Sequence, residues 1–225
     1  MYKLLVKFPS RNRPEKFKVR MNEYVGACSG KHHVRFVISM DEDDKTMNTD
    51  DIKKFLDEMK INQGVDLVYH YGNSKTKIEA CNADMEGEIF DVLLLISDDM
   101  VLQQTNYDDI IYEAFQETFP DYSGGIKFSD GLRNDVLMTL PIIGKKIYEK
   151  WGYIYNPEYT SIYCDTEQTE VLYRMKKFAV SDMCLAKHEW TSSPFDELHA
   201  RNENEEMYKI DGAVFESRKS RNFDI

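Results

Sequence analysis

Residues 92–99 read Val92-Leu93-Leu94-Leu95-Ile96-Ser97-Asp98-Asp99, five apolar residues followed by a serine and two acids. A run this apolar suits a central parallel strand buried on both faces. Carboxylates at the carboxyl end of such a strand lie where open α/β sheets bind their ligands. Two adjacent acids there, in a chain already rich in acid, call for a compensating cation. A divalent metal carrying a diphosphate meets that need, because Mg²⁺ is usually held by one or two carboxylates plus substrate phosphates. Neighbouring side chains on an extended strand point to opposite sides, so both acids can reach one ion only if the chain turns. Otherwise one of them faces the metal and the other a sugar hydroxyl, a ribose or a supporting group. A solvated turn bearing two acids is the alternative.

The rest of the first hundred residues repeats the strand-and-helix alternation that such a strand requires. Strands are expected at Leu4–Phe8, Val34–Met40 and Val65–Tyr71. Between them, Phe17, Met21, Tyr24, Val25 and Cys28 form one helical stripe, and Ile52, Phe55, Leu56 and Met59 another. Asp50 and Asp51 favour the amino end of the second helix. A third helix carries Ile78, Cys81 and Met85. This βαβαβαβ order predicts an α/β fold, a mostly parallel central sheet with helices on both faces. The second half is less regular. It suggests a short helix around Ile110–Phe115, strands at Ile126–Phe128 and Leu137–Leu140, and a helix from Ile142 to Trp151 opened by Pro141. The aromatic-rich stretch Tyr153–Tyr163, a helix over Glu167–Met175 and a strand over Phe178–Leu185 follow.

Composition narrows the function classes. The 225 residues carry 29 basic and 40 acidic side chains, a net charge of −11, which disfavours non-specific binding to nucleic acid or anionic lipid. Hydrophobic content of 42% argues for a globular chain. No apolar stretch approaches the roughly 20 residues of a membrane helix, and the apolar run near Met1 is too short for a signal peptide. Cys28, Cys81, Cys164 and Cys184 lack zinc-like spacing and read as buried thiols of a reducing compartment, so a cytoplasmic protein is expected.

Three other strand ends join Asp98 and Asp99 on the same sheet edge. Pro9-Ser10-Arg11-Asn12-Arg13 offers guanidiniums and backbone donors to a nucleotide, or is simply a basic surface loop. Asp41-Glu42-Asp43-Asp44 would repel phosphate and so suits hydrogen bonds from a base or ribose. Asn73, Lys75, Lys77 and Asn82 flank a helix start.

On these motifs, from Pro9 to His188-Glu189-Trp190, the chain resembles the GT-A nucleotide-sugar glycosyltransferases, near their family 2-like group. The resemblance implies a Rossmann-like GT-A fold with an irregular C-terminal acceptor part. Pro9, Ser10, Arg11, Arg13, Asp41, Asp43, Lys77, Asn82 and Asp98 would then bind the nucleotide sugar, with Lys77-Ile78-Glu79-Ala80-Cys81-Asn82 resembling the family's K-x-x-A-x-N helix. Ser97-Asp98-Asp99 resembles its DxD motif with the first acid replaced by Ser97, which shifts weight to Asp98 and leaves Asp99 as metal ligand. His188 resembles the histidine that completes the metal site in some members; Mn²⁺ or Mg²⁺ is the implied ion, imidazole suiting the former better. His32, His33, His70 and His199 show no comparable context. Cys164-Asp165-Thr166-Glu167 resembles the acidic motif that supplies the general base in inverting members, Asp165 first and Glu167 as alternative. Capping of the helix by Asp165 is the competing role.

The expected organisation is a single domain over 1–225: a nucleotide-binding half over 1–100, an acceptor and catalytic half over 101–195 and a surface tail over 196–225. The implied activity moves a sugar from a nucleoside-diphosphate sugar to an acceptor hydroxyl, a carbohydrate or another alcohol, with inversion. A nucleotidyltransferase is the second enzyme class, although its phosphate loop is usually glycine-rich and this one is not. A catalytically inactive sugar- or nucleotide-binding module of the same fold is the third reading.

Overall fold

In the computed structural model, which describes residues 2–132, 135–189 and 197–225, the apolar run forms β4 of a seven-stranded sheet. The chain enters through β1 (Lys3–Pro9), α1 (Pro14–Gly26), β2 (His33–Asp41), α2 (Asp50–Asn62), β3 (Asp66–Gly72), α3 (Lys77–Asn82) and β4 (Val92–Leu95). Local chemistry explains these elements. Pro14 opens α1, where its missing N–H has no partner to lose. Thr49 caps α2 by accepting a hydrogen bond from the Ile52 N–H, and Asp50 and Asp51 occupy its first turn.

Strands β1, β2, β3 and β4 run parallel, in the spatial order β3-β2-β1-β4. Strand order therefore reverses between β1 and β4, which is where open α/β sheets place a ligand crevice. The loops that leave this point are Ser10–Arg13 and Ser97–Asp99. Alternation along β1 serves both faces: Leu4, Val6 and Phe8 join the core under α1 and α2, and Leu5 joins the core on the opposite face. All four β4 residues are buried, with Leu94 in the first core and Leu93 in the second. Each such side chain contributes about 1.5–3 kcal/mol through the water it excludes.

The chain continues through β5 (Met100–Leu102), α4 (Tyr107–Thr118), β6 (Gly125–Ser129), β7 (Ile142–Gly144), α5 (Lys145–Trp151), α6 (Cys164–Arg174), β8 (Phe178–Cys184) and β9 (Ala186–His188). Strand β7 lies antiparallel between β4 and β6, and β8 closes the far edge beside β6. The separate pair β5–β9 sets Met100 opposite His188. Helices α1, α2 and α4 cover one face of the sheet; α3, α5 and α6 cover the other.

Several local expectations change. Ile142 and Ile143 start a strand rather than a helix, and Gly144 ends it where an added Cβ would stand 2.2 Å from the Tyr122 carbonyl oxygen. The helix begins only at Lys145. Residues Leu137–Leu140 form no strand: the Met138 N–H donates to the Thr169 hydroxyl, and Thr139 donates to Asp130. Cys81 and Cys164 are buried, but Cys28 and Cys184 are only partly so; all four thiols are free.

Residues 197–225, expected on the surface, form α7 (Glu197–Asn202), α8 (Glu205–Ser220) and a short 3-10 turn (Asn222–Asp224). Helix α8 buries Asp211, Phe215 and Arg218, so this segment contributes to the second core. Trp190 and residue 196, where that tail was expected to begin, lie outside the described residues. No helix among the described residues is long and apolar enough to cross a membrane.

Lys7 is a charged residue within β1 and fully buried, its ammonium donating to the Ser39 hydroxyl. Burial lowers its pKa from 10.5 to about 8, against the attraction of Asp84, Cys81 and Glu88. Between these values the unfolded chain binds the proton that the folded chain has released, so stability rises with pH. Wild type should therefore gain stability relative to Lys7→Met as pH goes from about 8 to about 10. Urea unfolding of both proteins across that range checks the sign; parallel curves would contradict it.

Candidate active site

A cavity of about 700 Å³ opens over the carboxyl ends of β1, β2 and β4. Pro9, Ser10, Arg11, Arg13, Asp41, Lys77, Ser97 to Asp99, Asp165 and His188 all line it. Sequence-separated motifs thus meet in one cleft, as the strand order requires.

Arg11 and Arg13 divide the acids between them. One Arg11 nitrogen lies 2.7 Å from Asp41 and 2.6 Å from Asp43, and the second bonds Asp43 at 3.1 Å. The paired Arg11 holds the exposed Asp43 carboxyl below the usual range. Asp41 is buried and lines the cavity; its other oxygen accepts the Ser74 N–H at 3.0 Å. Asp43 is not among the residues lining the cavity. Asp44 accepts the N–H groups of Asn12, Thr46 and Met47, so it shapes the turn.

The chain turns at the end of β4, with the Met100 N–H on the Ser97 carbonyl at 3.1 Å. This turn lets both acids face Arg13, whose guanidinium lies 2.6 Å from Asp98 and 3.7 Å from Asp99. Burial pushes the Asp98 carboxyl up to about 6 against the pull of Arg13, with Asp99 adding to the rise. Burial also pushes Asp99 up, but His188 beside it, the Ser97 hydroxyl and Arg13 outweigh that and hold it well below the usual range. Ser97, at the position where an acid was expected, donates its hydroxyl to Asp99 and so orients it.

His188 is fixed by the β5–β9 pair and by its own N–H on the Asp130 carbonyl at 3.0 Å. Its Nε2 lies 3.6 Å from an Asp99 oxygen. His199 of α7, which showed no motif in the sequence, lies 3.8 Å from the same oxygen, and its Nδ1 is 3.0 Å from Arg13. Two imidazoles therefore flank one carboxylate. Asp130 is buried in the cavity wall.

The remaining candidates separate. Lys77 lines the cavity from the first turn of α3. Asn82 does not: its amide donates to the Tyr155 carbonyl at 2.7 Å and accepts the N–H groups of Ile154 and Tyr155. Asn82 thereby pins the aromatic loop rather than a nucleotide. Asp165 lines the cavity, with one oxygen accepting the Thr166 N–H at 2.8 Å; the residue at the helix cap is Tyr163, in a left-handed conformation at φ 62°. Glu167 points elsewhere, since residues two apart on a helix do not share a face. It accepts from Tyr159 at 2.7 Å, Asn156 at 3.1 Å and Arg218 at 2.7 Å, beside a smaller cavity of about 390 Å³. This geometry removes Glu167 as a base in the main cleft. Glu167→Ala should cost about 1–3 kcal/mol in denaturant unfolding, because it leaves the buried Tyr159 and Asn156 donors unpaired while Arg218 keeps Glu158 and Asp224.

Among the described residues, Ser10 Oγ, Arg11 Nε and Ser161 Oγ are buried without a hydrogen-bond partner, and all three residues line the cleft. Native proteins rarely leave such atoms unpaired, so a polar ligand is the natural complement.

No family model matches the chain, and no curated protein does. Solved structures do. A mannosyltransferase, PcManGT from Pyrobaculum calidifontis, in complex with GDP-Man and Mn²⁺, aligns over 88% of this chain and 59% of its own at 12% identity and TM-score 0.64. S. aureus TarS 1-349 in complex with UDP-GlcNAc aligns over 92% of this chain and 64% of its own, at 13% identity and TM-score 0.65. Glucosyl-3-phosphoglycerate synthase from Mycobacterium tuberculosis, with Mg²⁺ and UDP, gives 12% identity and TM-score 0.57 over 89% of this chain and 75% of its own. The chain spans about three fifths of the length of the first of these. Its fold is that of the GT-A nucleotide-sugar glycosyltransferases.

Proposed function

We propose that the chain is a glycosyltransferase that moves a sugar from a nucleoside diphosphate to an acceptor hydroxyl, with inversion and with a divalent ion. The observation that carries this reading is one cleft at the β1/β4 reversal that joins Asp98 and Asp99, two arginines and two imidazoles with the carboxylate of Asp165. The ligands of the structural neighbours, GDP-Man with Mn²⁺ and UDP-GlcNAc, support the donor class.

Asp41 would accept hydrogen bonds from the base or ribose, beside Ser10 and Arg11. Arg13 and Lys77 would meet the diphosphate, with guanidinium suited to paired phosphate oxygens. Asp99, His188 and His199 form a carboxylate and imidazole donor set that fits Mn²⁺ better than Mg²⁺. Among the described residues, no three such groups already stand arranged around an ion, so phosphate oxygens would complete its shell. When bound, the ion stabilises negative charge on the departing diphosphate. Asp165 would take the proton from the acceptor hydroxyl as that oxygen attacks the anomeric carbon. Four free thiols are consistent with a reducing, cytoplasmic setting.

Product analysis tests the reading. With Mn²⁺ and UDP-, GDP-, CMP- or dTDP-linked sugars, one donor should release its free nucleotide and a sugar product of inverted anomeric configuration by NMR. Release of sugar 1-phosphate, with the nucleoside monophosphate passed to the acceptor, would instead indicate nucleotidyl transfer. Loss of the imidazole in His199→Ala should weaken Mn²⁺ binding by about tenfold or more, measured by electron paramagnetic resonance. Unchanged affinity would remove His199 from the metal site.

A further inference from the structure

The loop before α6 is held more firmly than a connection needs to be. Asp211 of α8 is 0% exposed, and it accepts four hydrogen bonds from that loop. The Thr160 N–H and hydroxyl reach one oxygen at 2.9 and 2.8 Å, and the N–H groups of Ser161 and Ile162 reach the other at 2.8 Å each. The loop is also tied to α3, where the Ile78 N–H donates to the Thr160 carbonyl at 3.3 Å. Beyond it, the Tyr163 ring stacks on Phe215 of α8 with centroids 5.6 Å apart. Three successive residues are thus fixed between the helix bearing Lys77 and the helix bearing Asp165. Ordering a loop carries an entropic cost per residue, and a carboxylate buried this deeply demands such donors.

The group presented by this fixed loop is Ser161. It is 3% exposed, lines the main cavity, and its Oγ has no partner among the described residues. Its N–H donates to Asp211 and its carbonyl accepts from the Cys164 thiol, so the hydroxyl is the part left for a ligand. We propose that Ser161 Oγ hydrogen-bonds a hydroxyl of the transferred sugar, and that Asp211 is the positioning residue that sets this contact. The inference rests on the glycosyl-transfer reading and adds a specificity-determining residue to it. The location supports a sugar rather than a base: the loop leads directly into α6, which bears Asp165, and is tied to α3, which bears Lys77, and all three line the cavity. A site built to pair with a sugar hydroxyl discriminates against analogues that lack it, because its own polar group is then left unpaired.

The test compares each nucleoside diphosphate with its sugar conjugate in full-length protein. UDP against UDP-glucose and UDP-GlcNAc, GDP against GDP-mannose, and dTDP against dTDP-glucose are titrated calorimetrically with Mn²⁺. Ser161→Ala removes no hydrogen bond seen in the protein, so it should fold as wild type does. It should weaken the sugar conjugate by about three- to tenfold and leave the free diphosphate within about twofold. Asp211→Asn should produce the same selective loss. Equal weakening of both ligands, or of neither, by Ser161→Ala overturns the assignment while the glycosyl-transfer reading stands. Wild-type protein that binds none of these ligands overturns the reading itself, and the assignment with it.

Discussion

Asp165→Asn should cut sugar transfer by about 10²–10⁴-fold while donor affinity stays within about twofold of wild type. The asymmetry follows from position. Asp165 lines the cleft from the first turn of α6, and among the described residues its carboxylate accepts from the Thr166 N–H and hydroxyl, which an asparagine oxygen can also satisfy. The variant therefore keeps the fold and loses only the capacity to accept the acceptor's proton. Single-turnover transfer and equilibrium donor binding, measured on the same preparation, separate the two effects. Transfer at the wild-type rate would return Asp165 to a structural role. Glu167→Gln provides the contrast: its partners are Tyr159, Asn156 and Arg218, so it should lower stability and leave the proton-transfer step of the surviving folded protein intact.

Asp99→Ala should remove metal-supported donor binding, a loss of about 100-fold or more, since deleting even an outer partner of a metal ligand typically costs 10–100-fold. Among the described residues Asp99 is the carboxylate that faces both His188 and His199, at 3.6 and 3.8 Å, and His188, Ser97 and Arg13 hold its pKa well below the usual range despite its burial. Its removal leaves Arg13 paired with Asp98 at 2.6 Å, so the cleft retains a compensated charge and the fold should persist. Manganese titration followed by electron paramagnetic resonance reads the loss directly. Manganese affinity equal to wild type would show that the strand-end acids serve only to anchor Arg13.

The parts of this account that were legible in the sequence are those where one short stretch determines its own environment. Leu93, Leu94 and Leu95 can be buried only in a strand covered on both faces, and the loops after β1, β2 and β4 then have to share an edge. The Ser97-Asp98-Asp99 turn could be located this way, although not its hydrogen bond from Ser97 to Asp99, which depends on side-chain rotamers. Glu167 and Asn82 share one feature that local sequence does not show: each carries a polar group suited to a ligand, and each engages it with backbone or side-chain partners inside the protein. Ile142–Gly144 was misread because two isoleucines are too few to distinguish strand from helix, and the deciding contact is with β4, some fifty residues earlier. His199, Asp211 and Arg218 lie in a polar segment without apolar periodicity. Their roles arise from contacts with Asp99, Thr160 and Glu167, none of them near in sequence, and nothing local signals that such a segment returns to the cleft.

A thermal-shift comparison of UDP-, GDP-, CMP- and dTDP-linked sugars, each with and without Mn²⁺, tests the central claim most directly. A ligand that binds only folded protein stabilises it by mass action, about 2.7 kcal/mol at a concentration 100 times Kd. The account predicts that one nucleotide class raises Tm only when metal is present, and that Asp99→Ala abolishes the rise. No shift with any donor at millimolar concentration, with metal or without, would contradict it.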